Sequence, residues 1–157
     1  MTANGFGMAV YSVREWMDTR GFPRTQIPAL PREVSKAQAN EFARSLRNLL
    51  DPVAIESEFR NRTAMVLEEL AEMFEAIGDG NLPAYADAVT DLLWVVISIG
   101  VATGLPLEDL WSLVADANFD KEVGGTKPPG WRSPQAGITA LLKEKGGITC
   151  RTDSQIQ

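Results

Sequence analysis

Glu68, Glu69 and Glu72 stand in the stretch 66–77, VLEELAEMFEAI, among Leu67, Leu70, Met73, Phe74 and Ile77. Carboxylates at this spacing do one of two things. They form the solvated face of a helix, which is the ordinary outcome, or they gather to hold a cation. Asp87 and Asp91, four apart and so on one face of a following helix, weigh toward the second. Asp91 directly precedes the most apolar stretch of the chain, LLWVVISIGVA at 92–102. It is therefore expected near the core, where a carboxylate needs a partner. The short loop at 78–83 makes the flanking helices antiparallel neighbours. In a hairpin centred near residue 80, position 69 faces about 92 and position 72 about 89. Like charges so crowded destabilise the fold unless protons or metal ions intervene. No lysine stands nearby in the sequence to match them. Taken together, the two clusters read as a divalent-cation site.

Composition narrows what such a site can be. The chain has 157 residues, a one-domain length, and 45% of them are hydrophobic. It contains no histidine, which excludes Ser-His-Asp triads, histidine general bases and ordinary zinc sites. Its single cysteine, Cys150, allows no disulfide and no thiolate cluster within one chain. Any metal must be held by oxygen, so magnesium or manganese is expected. A net charge of −6 argues against a nucleic-acid partner. The start, 1–7, has neither the basic head nor the apolar core of a signal peptide. The 11-residue apolar run at 92–102 is too short to span a bilayer. A cytoplasmic protein with no membrane partner is the expectation.

The elements that position these residues read as helices; no alternating run is long enough for a strand. A first helix is expected over 10–19, with Val10, Val13, Trp16 and Met17 on one face. The three prolines of 21–31 make an irregular strap. Ser35 is a plausible N-cap for a helix to Leu50, carrying Phe42, Leu46 and Leu49. Asp51-Pro52 looks like a second cap, opening a long helix to Ile77. The sequence GDGN at 78–81 ends that helix, and Pro83 opens the next, to about Thr103. After Gly104-Leu105-Pro106 comes a helix with Leu107, Leu110, Trp111 and Val114 at helical spacing. A glycine- and proline-rich loop follows, then a short helix over 138–145 and an irregular tail from about 146. The expected class is all-α: one domain, an antiparallel helical bundle completed by oligomerisation. The reason for oligomerisation is that the helix at 92–103 is apolar nearly all round. Trp16, Trp94 and Trp111 occupy apolar helical positions and read as core.

Glu68-Glu69-x-x-Glu72, followed by Asp87 and Asp91 before an apolar helix, resembles the all-α nucleoside triphosphate pyrophosphohydrolases. This is the MazG-like superfamily, which includes phosphoribosyl-ATP pyrophosphohydrolases and dimeric dUTPases. The usual pattern there is EExxE and then ExxD. Here Asp91-Leu92-Leu93 matches the end of the second motif, but Ala88 stands three before it and the acid sits at Asp87. Asn118-Phe119-Asp120-Lys121 looks like the superfamily's NxxK element. KPPGWRSP at 127–134 and VREWMDTRGFP at 13–23 resemble the phosphoribosyl-ATP pyrophosphohydrolase branch. The resemblance spans about 10–134, and the segment at 33–60 is longer than it leads one to expect.

What the resemblance implies is metal-dependent hydrolysis of a (deoxy)nucleoside triphosphate to the monophosphate and pyrophosphate. It assigns Glu69, Glu72 and Asp91 as metal ligands, then Asp87, with Glu68 binding a further ion or orienting the attacking water. Glu68, Glu69 and Lys121 become the candidate catalytic residues. Asn118 and Lys121 would contact phosphate or sugar. Lys127, Trp131 and Arg132 would form a loop over the substrate, with Trp131 on the base. The resemblance also implies a homodimer or homotetramer. Plainer alternatives stand beside these roles: a solvated Glu68, a helix-terminal cation at Lys121, and a packing anchor at Trp131. Two other functions remain open. One is a pyrophosphohydrolase for phosphoribosyl-ATP or a modified nucleotide. The other is a helical interaction module without catalysis.

Overall fold

A computed structural model of the chain describes residues 3–22, 24–50, 58–122 and 126–147. The expected cap at Asp51-Pro52 and the thiol of Cys150 lie outside these residues. Every regular element among them is helical: α1 Ala3–Thr19, α2 Lys36–Leu50, α3 Glu58–Asp79, α4 Leu82–Ala102, α5 Leu107–Phe119 and α6 Gln135–Glu144. The chain divides into two compact units, Thr25–Leu105 and Met1–Arg24 with Pro106–Gln157.

In the first unit, α3 packs against α2 and α4. The start of α2 is a capping box. Gln38 N–H donates to Ser35 Oγ at 3.3 Å, and Ser35 N–H donates to Gln38 Oε1 at 3.1 Å. The seam between α2 and α3 is built from small residues. Ala39 and Ala43 of α2, and Ala64 and Ala71 of α3, are buried. Gly78 continues the row at the same seven-residue interval; a Cβ there would stand 2.5 Å from Asn40 Oδ1. At the seam's edge the Phe42 and Phe74 rings meet at 5.1 Å.

The α3–α4 hairpin turns at Gly80, whose φ of +69° suits glycine. Asn81 then caps α4, its side-chain oxygen accepting from Ala84 N–H at 3.2 Å, with Pro83 in the first turn. Arg62 Nη1 donates to Ser98 Oγ at 2.9 Å. A hairpin centred on residue 80 that pairs 62 with 98 also pairs 69 with 91, within one residue of the register expected from loop length.

Two expectations about α4 are corrected. Asp91 is exposed, as is Asp87. Trp94 is 76% exposed and Val101 68%. The reason is helical phase. Ala88 and Val95, seven apart, are buried, as is Gly100, and Trp94 lies about 100° round from Val95. Asp91 sits beside those positions, not among them. At 21 residues α4 is, among the described residues, long and apolar enough to cross a membrane by length and composition.

In the second unit, α1 and α6 each pack on α5. Here α1 begins earlier than its apolar face announces, at Ala3 instead of Val10. Trp111 is also corrected: it is 39% exposed and lines an open cavity. The strap after α1 is irregular, as its prolines require, and the segment from 126 to 134 is loop up to the turn that starts α6.

Candidate functional site

The first unit gathers the carboxylates. Glu69 sits on α3 beside α4, and one of its oxygens, Oε2, is buried without a hydrogen-bond partner. Burial, and then the charges of Glu72, Asp91, Glu68 and Asp87, raise the Glu69 carboxyl above its ordinary value. Those four are the other acids of the sequence motif, so folding brings all five within electrostatic reach. Among the described residues no three carboxylates converge closely enough to grip one ion. Their chemistry nevertheless fits a hard cation. All are oxygen donors, and one is a buried acceptor that receives no proton from the protein.

A cation that sequence proximity did not reveal comes from α2. Arg47 forms a two-pronged pair with Glu75, Nε to Oε1 and Nη2 to Oε2, both at 3.1 Å. Its guanidinium also lies 3.7 Å from Glu72 and 3.9 Å from Glu68. No lysine near in sequence matches these glutamates, as expected, but an arginine from α2 does, so the crowding is relieved in part without a metal. Arg47 and Glu75 are 28 residues apart in the chain. The signal was nonetheless present: 39, 43 and 47 follow one another at four-residue spacing, so Arg47 continues the alanine seam toward α3. Glu69 differs from its neighbours. Arg47 approaches Glu68 and Glu72, while Glu69 stands against the aspartates of α4.

The second unit positions Asn118 and Lys121 through the C-terminal end of α5, where helix carbonyls lack intrahelical partners. Side chains from elsewhere supply the donors. Trp131 Nε1 donates to the Ala117 carbonyl at 2.9 Å. Trp16 Nε1 donates to the Asn118 carbonyl at 2.8 Å. The Arg20 guanidinium donates to the Phe119 and Lys121 carbonyls. Lys121 lies just past the helix, in a turn closed by its N–H on the Asn118 carbonyl at 3.2 Å. Its ammonium donates to Asn118 Oδ1 at 2.7 Å, so the turn unites the pair as helical spacing was expected to.

The loop after α5 is arranged around Trp131. Lys127 Nζ lies 4.7 Å and Lys121 Nζ 5.7 Å from the ring centroid. Trp131 thus anchors the loop to α5 and concentrates two ammonium groups. Arg132 is exposed in the same loop. Trp16 and Arg20, which cap α5, are the residues that spacing alone missed as parts of this arrangement.

Residues 39–118 match the family model described as phosphoribosyl-ATP pyrophosphohydrolase. The matched segment contains all five carboxylates together with Arg47 and Glu75, and it ends at Asn118. It includes most of α2. Lys121, the 127–134 loop and α1 lie outside it. No curated protein and no solved structure matches the chain.

Proposed function

The chain belongs to the phosphoribosyl-ATP pyrophosphohydrolase family, and from that premise we propose that it hydrolyses a (deoxy)nucleoside triphosphate to the monophosphate and pyrophosphate. Membership implies a pyrophosphohydrolase; the substrate, the bond cleaved and the metal are parts of the proposal. The observation that carries it is Glu69, a half-buried carboxylate with an unpartnered oxygen, facing two aspartates across a helix hairpin. A buried acceptor among like charges is stabilised by a bound cation.

Glu69, Glu72 and Asp91, with Asp87, would hold magnesium or manganese. When bound, these ions would offset the phosphate charges and acidify a water. Glu68 would orient that water. Arg47 holds Glu75 and lies beside Glu68 and Glu72, where its charge would compete with a bound cation. In the other unit, Asn118, Lys121 and the 127–134 loop carry the hydrogen-bond donors and ammonium charges that suit a phosphate chain. Lys121 and Lys127 are held beside Trp131, which limits the rotamers they must lose on binding.

The family's description favours phosphoribosyl-ATP as a second substrate reading, since it too carries a triphosphate. The proposal includes a homodimer or homotetramer, supported by the exposed apolar residues of α4, Leu93, Trp94, Val96 and Val101. The deciding measurement is pyrophosphate release from a panel of nucleoside triphosphates and phosphoribosyl-ATP, with magnesium or manganese. Monophosphate with stoichiometric pyrophosphate is the expected result. Diphosphate with orthophosphate would assign a different reaction, and no release from any member would leave the acids without the proposed role.

A further inference from the structure

The second unit holds a cavity of about 370 Å³ between α1 and α5, a size typical of small-molecule sites. Val13 and Trp16 of α1, Phe22 beyond it, and Trp111, Val114 and Phe119 of α5 make its apolar wall. The Trp16 and Phe22 rings are stacked, with centroids 5.0 Å apart and planes 17° apart. Arg20 braces the wall, its guanidinium 5.4 Å from the Trp16 ring and 5.6 Å from the Phe119 ring. The wall is thus held in place before any ligand enters, which lowers the entropy lost on binding.

Polarity is concentrated at Asn118 and Lys121, which share the same lining. Asn118 Oδ1 already accepts from the Lys121 ammonium. The carboxamide N–H groups and the other ammonium protons are then the donors this corner presents, and among the described residues no carboxylate belongs to the lining. An aromatic wall beside a cationic corner suits a ligand that is planar and aromatic at one end and anionic at the other. A second copy of the chain, laying an apolar face here, would strip water from the Lys121 ammonium without compensation.

We infer that the α1–α5 cavity receives the nucleobase of a nucleotide, stacked among its aromatic walls, beside the Asn118 and Lys121 corner to which the proposed function already gives the sugar and phosphate. The ligand class rests on the proposed nucleotide reaction, but the cavity uses none of the carboxylates. Binding is therefore separable from turnover.

The test is equilibrium binding to the full chain, by calorimetry in a chelator, of the five common nucleoside 5′-monophosphates and of ribose 5-phosphate. Stacking predicts that the nucleotides bind at least about tenfold more tightly than ribose 5-phosphate. Val13→Trp, which fills the cavity from an exposed rim, and Trp111→Ala, which opens its wall, should bring the nucleotides down to the sugar phosphate's level. Equal binding of ribose 5-phosphate and nucleotides by the unmodified chain overturns the inference. So does a preserved nucleotide advantage in both variants. A Val13→Trp chain that changes its sedimentation while keeping that advantage assigns the cavity to a second copy instead, which also overturns it. Pyrophosphate release is measured separately. Tight nucleotide binding without turnover would retain the cavity and remove the reaction.

Discussion

The two units assemble by opposite means. The α2–α3–α4 unit is joined through methyl groups and glycine, and its charged groups stand at the rims of those seams. The α1–α5 unit is joined through large aromatic side chains and a guanidinium that donate to the carbonyls at one helix end. One unit collects negative charge and an unpartnered acceptor; the other collects donors and ammonium groups. The difference teaches that the acids depend on helix spacing, whereas Asn118 and Lys121 depend on a capping network.

Neutralising the acids should separate the units most sharply. Glu72→Gln or Asp91→Asn removes a proposed ligand while leaving the seams untouched. Turnover should fall by more than the roughly 10–100-fold that losing an outer partner of a metal site costs. Helical circular dichroism should be unchanged. Full activity with normal metal dependence in either variant would detach the acids from catalysis. The next largest effect is on assembly. Trp94→Asp places a charge on the exposed apolar side of α4, and sedimentation should show smaller particles than the unmodified chain gives. An unmodified chain that sediments as a monomer at high protein concentration would end the oligomer proposal.

The capping network is tested by Trp16→Phe, which keeps an aromatic ring and deletes the indole donor to the Asn118 carbonyl, leaving the Lys121 N–H on it. Losing that one hydrogen bond should cost about 0.5–1.5 kcal/mol in chemical denaturation, and it should raise KM more than it lowers kcat. A variant as stable as the parent would show that the α5 end does not need its indole. Arg47→Met tests the other unit with a smaller change. The pair is partly exposed, so stability should fall by only about 0.2–1 kcal/mol. Divalent-cation affinity should rise, because a fixed positive charge has left Glu68 and Glu72. A weaker cation affinity would instead make Arg47 a support for the site.

The smallest effect is in pH dependence. Glu69's folded carboxyl is raised above its ordinary value, so in that window the native state holds more proton than the unfolded chain. Without divalent ions, stability should therefore rise as pH falls through the raised value and should be lost as pH climbs above it. Denaturation in chelator between about pH 4 and 7 measures the slope, and Glu69→Gln should flatten it. An unchanged slope in that variant would show that another group titrates.

Local chemistry made much of this legible in the sequence. The Ser35 cap, the GDGN break at 78–81 and the register of the acids all follow from neighbours a few residues apart. What was not legible depends on distant partners. Arg47 reaches Glu75 across 28 residues, and Trp16 reaches Asn118 across 102. Nothing local to either residue names its acceptor. Exposure failed for a related reason. Apolar character records that Trp94 and Trp111 favour burial, but not what covers them, and helical phase put Asp91 on the rim of a contact that begins just beside it.

The small-residue seams carry a consequence for how the sequence can drift. In a core of leucines, the damaging substitutions are those that remove atoms and leave a cavity. At Ala39, Ala43, Ala64 and Ala71 there is almost nothing to remove, and replacement by glycine loses little beyond helix propensity. Growth is the hazard: one added methylene on either helix must push the axes apart. Because Arg47 and the glutamates project from those same helices, an enlarged seam would change charge spacing before it unfolded anything. The chain is thus forgiving of loss and intolerant of gain, and along its seams a destabilised fold and a detuned site should appear as separate mutational classes.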